Sequence, residues 1–324
     1  MRHDDVTLSP LNENRREGGF HHETLFYSGE GGFLTGTVPF IEDALCAEEP
    51  VLIAVGKAKI TLLEEALGEG AQRVTFADMR VLGSNPARII PAWRTFLQDR
   101  APDGRPVRGI GEPIWAGRTA AELTECQRHE SLLNVAFDEG QAWQLLCPYD
   151  VDTLEDDVIE AAHRSHPVIS EDGVTRSSSA YVTLGDGWRP FEGSLSAPSA
   201  PARELEFTSG ELGALRRCVA VAAAACPMSG ERVDDLVLAV NEVASNSIHH
   251  GGGHGMMRIW WEGDSLLCEV SDGGRISEPL VGRVHPRPDQ WSGRGLWLAN
   301  QLCDLVQIRS SDAGSVVRLH MRMT

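Results

Sequence analysis

The side chains best suited to chemistry in this chain are Glu242 and Asn246, four residues apart in the segment from Leu236 to Gly251. Apolar residues recur at steps of three and four from Val233 to Ala244, which predicts an amphipathic α-helix with one buried side. Residues four apart lie above one another on a helix, so Glu242 and Asn246 can act on one ligand. A carboxylate can accept a proton, and an amide oxygen can bind Mg²⁺. The alternative is a solvated face with two ordinary polar residues.

A glycine-bearing loop follows this helix. The segments from Met257 to Trp261 and from Leu266 to Val270 are predicted to form a β-hairpin, and the second strand leads into Asp272. Gly273 and Gly274 come next, and glycines let the backbone approach a ligand closely. The carboxylate at the strand end can therefore accept a hydrogen bond from the exocyclic amine of a base.

A second glycine loop runs from Gly293 to Leu296 and opens an apolar helix that extends towards Leu305. The unpaired N–H groups of a helix N-terminus attract an anion, and the helix dipole adds to the attraction. Two more strands, over residues 306–309 and 316–321, are predicted after it. Each glycine motif alone is commonly only a turn, so the prediction of a phosphate-binding site depends on their order along the chain.

With these residues in this order, the carboxy-terminal part resembles the Bergerat-type (GHKL) ATPases, and within them the anti-sigma-factor serine kinases. The kinases carry the pattern E-x-x-x-N-x-x-x-H-G, which Glu242, Asn246, His250 and Gly251 match. The resemblance implies that Glu242 is the general base for a substrate hydroxyl and that Asn246 binds Mg²⁺. It also implies an α/β sandwich with helices on one face of a mixed sheet.

The same resemblance assigns ATP to the two glycine loops, with residues 277–292 as a lid. The residues that it assigns to ATP are Asn246, Asp272, Gly274, Gly293, Arg294, Gly295, Leu296 and Ser315. The chain departs from the family pattern at Ile276, where a further glycine is usual. The family's Gly-Thr pair is Gly314-Ser315 here, which keeps the hydroxyl.

Composition limits the remaining classes of function. The chain has 324 residues, 42% of them hydrophobic, which is enough for two compact domains. The formal net charge of -18, without a Lys/Arg cluster, disfavours nucleic acid and anionic lipid as partners. Since no run of about 18 apolar residues occurs, we expect a cytoplasmic protein without a membrane segment. The seven scattered cysteines are expected to be reduced core residues, with a redox role for one left open.

Four segments are predicted along the chain. They are a flexible N-terminus (1–19), a sensory domain (20–169), a linker rich in Ser, Gly and Pro (170–202) and the ATPase domain (203–324). Strand and helix signals alternate in the second segment, which is typical of an α/β domain with a parallel sheet. Thr208 and Glu211 have the spacing of a capping box that would start the first helix of the ATPase domain.

The amino-terminal domain resembles the MEDS sensory domain, a RecA-like α/β module. The residues that carry this resemblance are His22, Gly109 to Trp115, His129-Glu130 with Asn134, and Cys147 to Asp150. It implies a sensing or partner-docking function, with His22, Glu112, His129 and Glu130 as candidate site residues. The alternative is that these side chains only form a satisfied polar network at the sheet edge.

Three functions are compatible with these patterns. The first, implied by the resemblance, is an anti-sigma regulator with ATP and Mg²⁺ as cofactors that phosphorylates a Ser or Thr of a STAS-type anti-anti-sigma protein and binds a sigma factor. The family resemblance also implies a homodimer. The second is a non-catalytic switch in which ATP only shapes a sigma-factor-binding surface. The third is a sensor histidine kinase that uses His163 or His166, although the predicted helix before them is short.

Overall fold

The structure is a computed structural model that describes residues 19–137, 140, 142–171, 173–185, 189, 191–286 and 293–323. It forms two compact units, one within residues 1–83 and 92–188 and one within residues 84–91 and 189–324. The predicted flexible N-terminus lies, except for Gly19, outside the described residues. Within the described part of the chain, no helix combines the length and the apolar character needed to cross a bilayer.

The first unit is built on a seven-stranded sheet. Its strands are β1 (Phe20–Tyr27), β2 (Val51–Val55), β3 (Thr75–Asp78), β4 (Val107–Gly111), β5 (Trp143–Asp150), β6 (Val168–Glu171) and β7 (Val174–Ser177). The order across the sheet is β3-β2-β4-β5-β1-β6-β7, and only the pairing of β7 with β6 is antiparallel. Parallel strands covered on both faces are apolar throughout, and β2 is buried at every position.

Helices connect these strands, as expected of an α/β domain. They are α1 (Gly29–Cys46), α2 (Lys57–Leu67), α3 (Met79–Leu82), α4 (Ile89–Arg100), α5 (Ala120–Ala136) and α6 (Asp156–Ser165), with a short 3-10 helix at Gly68–Arg73. A second 3-10 helix, Pro86–Arg88, falls within the second unit. A capping box starts α5, because Thr119 and Glu122 each accept a backbone N–H of the other. The predicted α/β class of this domain is confirmed.

The second unit contains a five-stranded sheet. Its strands are β8 (Arg203–Thr208), β9 (His254–Glu262), β10 (Ser265–Asp272), β11 (Leu305–Ser311) and β12 (Gly314–Arg322), in the order β11-β12-β10-β9-β8. Every described strand pair is antiparallel, whereas the sequence predicted a mixed sheet. Two-residue turns join β9 to β10 and β11 to β12, and such turns allow only antiparallel neighbours. The pairs β10–β12 and β8–β9 are not joined by such turns but are antiparallel as well.

Three helices pack on this sheet: α7 (Leu212–Ala224), α8 (Gly230–His250) and α9 (Arg294–Leu302). Their apolar sides share one core with the strands, including Val243 of α8, Val270 of β10 and Leu319 of β12. This layer of helices on a sheet confirms the predicted sandwich. The predicted capping box with Thr208 as the N-cap residue does not form, and α7 begins at Leu212 with Glu211 as its N-cap. Thr208 donates instead to Glu211.

The predicted linker contains more structure than its composition indicates. Strands β6 and β7 extend the first sheet to Ser177, past the predicted domain boundary at residue 169. In the second unit, Ser199 Oγ donates to Glu262 Oε2 at 2.7 Å, and Arg318 Nη2 donates to the Ser196 carbonyl at 2.7 Å. The end of the linker therefore packs on the second sheet.

His320 on β12 gives the second unit a pH-dependent stability. Burial lowers the pKa of His320 to about 4, and its Nε2 lies 3.0 Å from Gln307 Oε1. The pKa in the unfolded chain is about 6.5, so the unfolded state binds more protons between these values. The contribution of His320 to stability is complete above pH about 6.5 and is lost as the pH falls towards 4.

We expect His320→Gln to reduce the loss of unfolding free energy between pH about 7 and about 5 by about 2 kcal/mol, because glutamine does not titrate. Urea unfolding at both pH values measures this difference. His254→Gln, which changes an exposed histidine of the same sheet, is the control. Equal pH dependence of wild type and His320→Gln would contradict the assignment.

Candidate functional site

Helix α8 directs Glu242 and Asn246 towards the start of α9. A Cβ atom built at Gly295 would lie 3.0 Å from Asn246 Nδ2 and 3.2 Å from Glu242 Oε2. The structure therefore brings together the acid, the amide and the second glycine loop, which are about 50 residues apart in sequence. A side chain larger than hydrogen at residue 295 would press on both polar groups.

Asp272 lies at the end of β10, beside the C-terminal turn of α8. Its Oδ2 accepts a 2.5 Å hydrogen bond from the buried Ser247 hydroxyl, and its Oδ1 accepts a 2.7 Å bond from the Gly274 N–H. These bonds fix the orientation of the carboxylate. Each carboxylate oxygen has two lone pairs, so Asp272 can still accept a hydrogen bond from the amine of a ligand.

Asn246 and Asp272 line the same cavity, which has a volume of about 310 Å³. Four more of the residues predicted from sequence to bind ATP line this cavity, namely Gly274, Gly293, Leu296 and Ser315. Glu242, Arg294 and Gly295 are not among its lining residues, although Glu242 and Gly295 lie beside Asn246. Residues 277–286 of the predicted lid are described, and residues 287–292 lie outside the described part.

A larger groove of about 720 Å³ opens near the β8 edge and shares Asp272 and Ser315 with this cavity. Its described lining includes Glu206 and Glu211 but no Lys or Arg, so it repels a polyphosphate. The smaller cavity offers the helix N-terminus at Gly293 instead. It is also lined by Glu278 and by Arg275, whose Nη1 pairs with Asp312 Oδ1 at 2.6 Å. The chemistry therefore favours the smaller cavity as the candidate nucleotide site.

Ser315 and Ile276 hold the loop that follows Asp272. The Ser315 hydroxyl donates to the Gly274 carbonyl at 2.8 Å, and the Ile276 N–H donates to Ser310 Oγ at 2.8 Å. The side chain of Ile276 packs on the apolar core of the second unit. The residue that replaces the usual glycine is thus accommodated, with its N–H used to anchor the loop to β11.

Gly251 permits the close approach of α8 to Asp272. A Cβ at Gly251 would lie 2.4 Å from Asp272 Cγ, whereas a Cβ at Gly273 would meet its nearest atom, the Gly251 carbonyl oxygen, at 3.7 Å. The first distance requires the carboxylate to move, and the second is an ordinary contact. Both glycines lie near the Asp272 carboxylate, but only Gly273 has room for a Cβ atom.

We therefore expect Gly251→Ala to destabilise the ATPase-like domain by about 1–3 kcal/mol and to weaken ATP binding, because it displaces Asp272. Gly273→Ala is the matched control and should change neither property appreciably. Thermal unfolding and calorimetric titration with ATP measure both. A stable Gly251→Ala variant that binds ATP normally would show that this contact is not needed.

In the first unit, the structure brings together two of the four predicted site residues. His22 Nε2 lies 3.2 Å from Glu130 Oε2, and both side chains are buried. Cys147 and His166 complete the group, and neither was among the predicted site residues. Cys147 had a sequence signal, since it starts one of the segments that resemble the MEDS domain. Burial lowers the pKa of His22 to about 4, and the nearby His166 adds to this shift.

Glu112 and His129, the other two predicted site residues, are not part of this group. Glu112 accepts hydrogen bonds from Tyr27 Oη at 2.9 Å and from Lys59 Nζ, and burial raises its pKa. His129 is buried on α5, but successive helix residues point in different directions, so it diverges from Glu130. The predicted four-residue sensory site is therefore divided between at least two side-chain networks.

Two family models match separate parts of this chain. Residues 21–167 match the family model of the MEDS domain, described as a methanogen/methylotroph, DcmR sensory domain. Residues 205–321 match the model of the histidine kinase-like ATPase domain. A comparison with curated protein sequences gives no significant match.

One solved structure, the RsbU and RsbW domains of Rv1364c from Mycobacterium tuberculosis, is similar over 38% of this chain and 33% of that chain. The two are 21% identical in the matched region, with a TM-score of 0.29. This chain thus spans about a third of the length of that protein.

Proposed function

We propose that this chain, which joins an amino-terminal MEDS domain to a carboxy-terminal histidine kinase-like ATPase domain, is an ATP-binding anti-sigma regulator. It phosphorylates a Ser or Thr of a STAS-type anti-anti-sigma protein, binds a sigma factor, and is controlled by its MEDS domain. The observation that supports ATP binding is the single cavity lined by both Asn246 and Asp272. The proposal also includes the kinase activity, the two protein partners, a cytoplasmic location and a homodimer.

The residues around Asn246 fit a magnesium-bound polyphosphate. The Asn246 amide oxygen is a hard oxygen ligand of the kind that Mg²⁺ prefers. Gly293 has a left-handed φ of 87° and is the N-cap of α9, so the first N–H groups of α9 have no partner within the helix. When bound, Mg²⁺ would neutralise part of the phosphate charge.

Each remaining site residue has a separate role in the proposed reaction. Asp272 accepts a hydrogen bond from the exocyclic amine of adenine. The N–H groups at Gly293 and Gly295 hold the phosphates, and Glu242 takes the proton from the incoming hydroxyl. Ser315 holds the loop after Asp272 through the Gly274 carbonyl, so it orients the site.

The two other functions remain as alternatives, and one observation weighs against the histidine kinase. His166 has no exposed surface, and α6, which precedes it, is only 10 residues long. A phosphoacceptor histidine must be reached by the γ-phosphate, so His166 is unsuitable and only His163 remains. The non-catalytic switch differs from the proposed kinase only in that no phosphoryl group is transferred to a partner protein.

Incubation of the full chain with γ-labelled ATP, Mg²⁺ and candidate STAS proteins separates these functions. A kinase transfers acid-stable label to a Ser or Thr of the STAS protein. A non-catalytic switch retains nucleotide without labelling anything, and a histidine kinase labels itself with acid-labile phosphate. Calorimetric titration with Mg-ATP tests the shared premise, because the absence of binding would exclude all three.

A further inference from the structure

Four buried side chains of the MEDS domain meet at one point. His22 comes from β1, Glu130 from α5, Cys147 from β5, and His166 follows α6. One imidazole, carboxylate or thiol atom from each lies within 4.8 Å of the others, and every side chain has an exposure of 1% or less. In the described part of the chain, this is the one such group of potential metal ligands.

The outer nitrogens of both imidazoles bond to carbonyl oxygens. His166 Nδ1 lies 2.9 Å from the Ala162 carbonyl oxygen, which can only accept. His22 Nδ1 lies 3.0 Å from Asn134 Oδ1, and the amide of Asn134 is oriented because its Nδ2 donates to the Ser165 carbonyl at 2.8 Å. Both Nδ1 atoms therefore carry the proton, and in neutral imidazoles both Nε2 atoms present a lone pair to the centre of the group.

The centre of the group is thus surrounded by acceptors. Both Nε2 atoms face Glu130 Oε2, at 3.2 Å from His22 and 3.3 Å from His166. His166 Nε2 and Glu130 Oε1 are buried without a hydrogen-bond partner. The Cys147 thiol has a single, weak S–H donor and cannot serve all of these acceptors. Buried acceptors that face one another are unfavourable, and a cation between them removes the conflict.

The separations fit a tetrahedral ion. Ligand atoms at about 2.0–2.3 Å from such an ion are about 3.3–3.8 Å from one another. Three of the six separations are close to this range: 3.2 and 3.3 Å from the imidazoles to Glu130 Oε2, and 3.4 Å from His22 Nε2 to Cys147 Sγ. The other three are at most 4.8 Å. The outer hydrogen bonds to Asn134 and Ala162 are the kind that orient histidine ligands of metals.

We propose that His22, Glu130, Cys147 and His166 bind one divalent transition-metal ion of the zinc type. The mixed imidazole, thiolate and carboxylate set suits Zn²⁺ and its substitute Co²⁺ and excludes Mg²⁺ and Ca²⁺, which need oxygen ligands. One ionised thiol and one carboxylate balance the charge of the ion, which makes the buried group neutral overall. Four protein ligands leave no open position, so the ion joins β1, β5, α5 and the residue that follows α6.

The test uses the full chain stripped of metal by a chelator and titrated with Co²⁺. We expect about one Co²⁺ per chain, the strong visible bands of tetrahedral cobalt and a thiolate-to-cobalt charge-transfer band in the near ultraviolet. Cys147→Ser should remove the charge-transfer band, and His166→Gln should weaken Co²⁺ binding at least about tenfold. Elemental analysis of the protein as purified provides an independent readout.

Cys126→Ser and His163→Gln are the matched controls, since Cys126 is also fully buried but bonds to the Pro113 carbonyl, and His163 lies outside the group. Both should bind Co²⁺ as the wild type does. Where a ligand variant fails to fold, the wild-type spectrum decides alone. A folded wild type that binds no Co²⁺, gives the weak bands of octahedral cobalt, or keeps the thiolate band in Cys147→Ser would overturn the proposal.

Discussion

Replacing Glu242 with alanine is expected to lower the rate of phosphotransfer by about 10²- to 10⁴-fold, which is the range for loss of a general base. Binding of Mg-ATP should survive, because Glu242 lies beside Gly295 without lining the cavity. Asn246→Ala should act differently and weaken Mg-ATP binding itself, because Asn246 lines the cavity and supplies the amide oxygen for the metal. Single-turnover transfer of labelled phosphate and calorimetric titration measure the two properties separately.

Glu231→Ala is the control for this comparison, since Glu231 is an exposed glutamate near the other end of the same helix. It should leave both transfer and binding unchanged. If the Glu242 and Asn246 variants lose both properties to the same extent, the division of roles between base and metal ligand is wrong.

Asp272→Asn is expected to weaken ATP binding by between about tenfold and about a hundredfold, the range for a buried hydrogen bond to a charged group. The substitution keeps the size of the side chain but replaces one acceptor oxygen with a donor. Both oxygens already accept, from the Ser247 hydroxyl and from the Gly274 N–H, so an amide must leave one of these donors or the adenine amine unpaired. Titration of the variant with ATP measures the loss.

A stability measurement separates the effect on ligand from an effect on the fold, because Asp272 also holds the loop. Asp264→Asn changes the exposed carboxylate in the turn before β10 and should affect neither stability nor binding. Should Asp272→Asn unfold as the wild type does and bind ATP equally well, adenine is not recognised through Asp272. Preference for ATP over GTP gives a second readout, since guanine lacks the amine at that position.

Local patterns in the sequence account for most of the ATPase-like site. Periodicity alone predicts the helix that carries Glu242 and Asn246, and alternation predicts the strand that ends at Asp272. The prediction that this helix and this strand contribute to one site came from the family resemblance. The antiparallel pairing of β9 with β10 was predicted as a hairpin. The directions of β8 and β12 relative to these strands were not predicted, and the expected mixed sheet is antiparallel.

The group in the MEDS domain was only partly predictable. Strand β1 was not predicted as a strand, because its buried polar residues His22, Glu23 and Thr24 interrupt the apolar run that marks a central parallel strand. His166 was considered only as a phosphoacceptor, and nothing in its surroundings connects it to His22. Four ligand candidates from four elements meet only after the sheet forms, so their spacing along the chain carries no regular pattern.

Strand β1 is the first strand in the chain, yet it lies inside the sheet between β5 and β6. Phe20 pairs with Trp143, so the ribosome must make almost the whole domain before β1 finds its neighbours. Such distant pairing slows folding and leaves the nascent strand open to chaperones or to aggregation. Shortened versions of the gene that stop before β5 should therefore yield insoluble product.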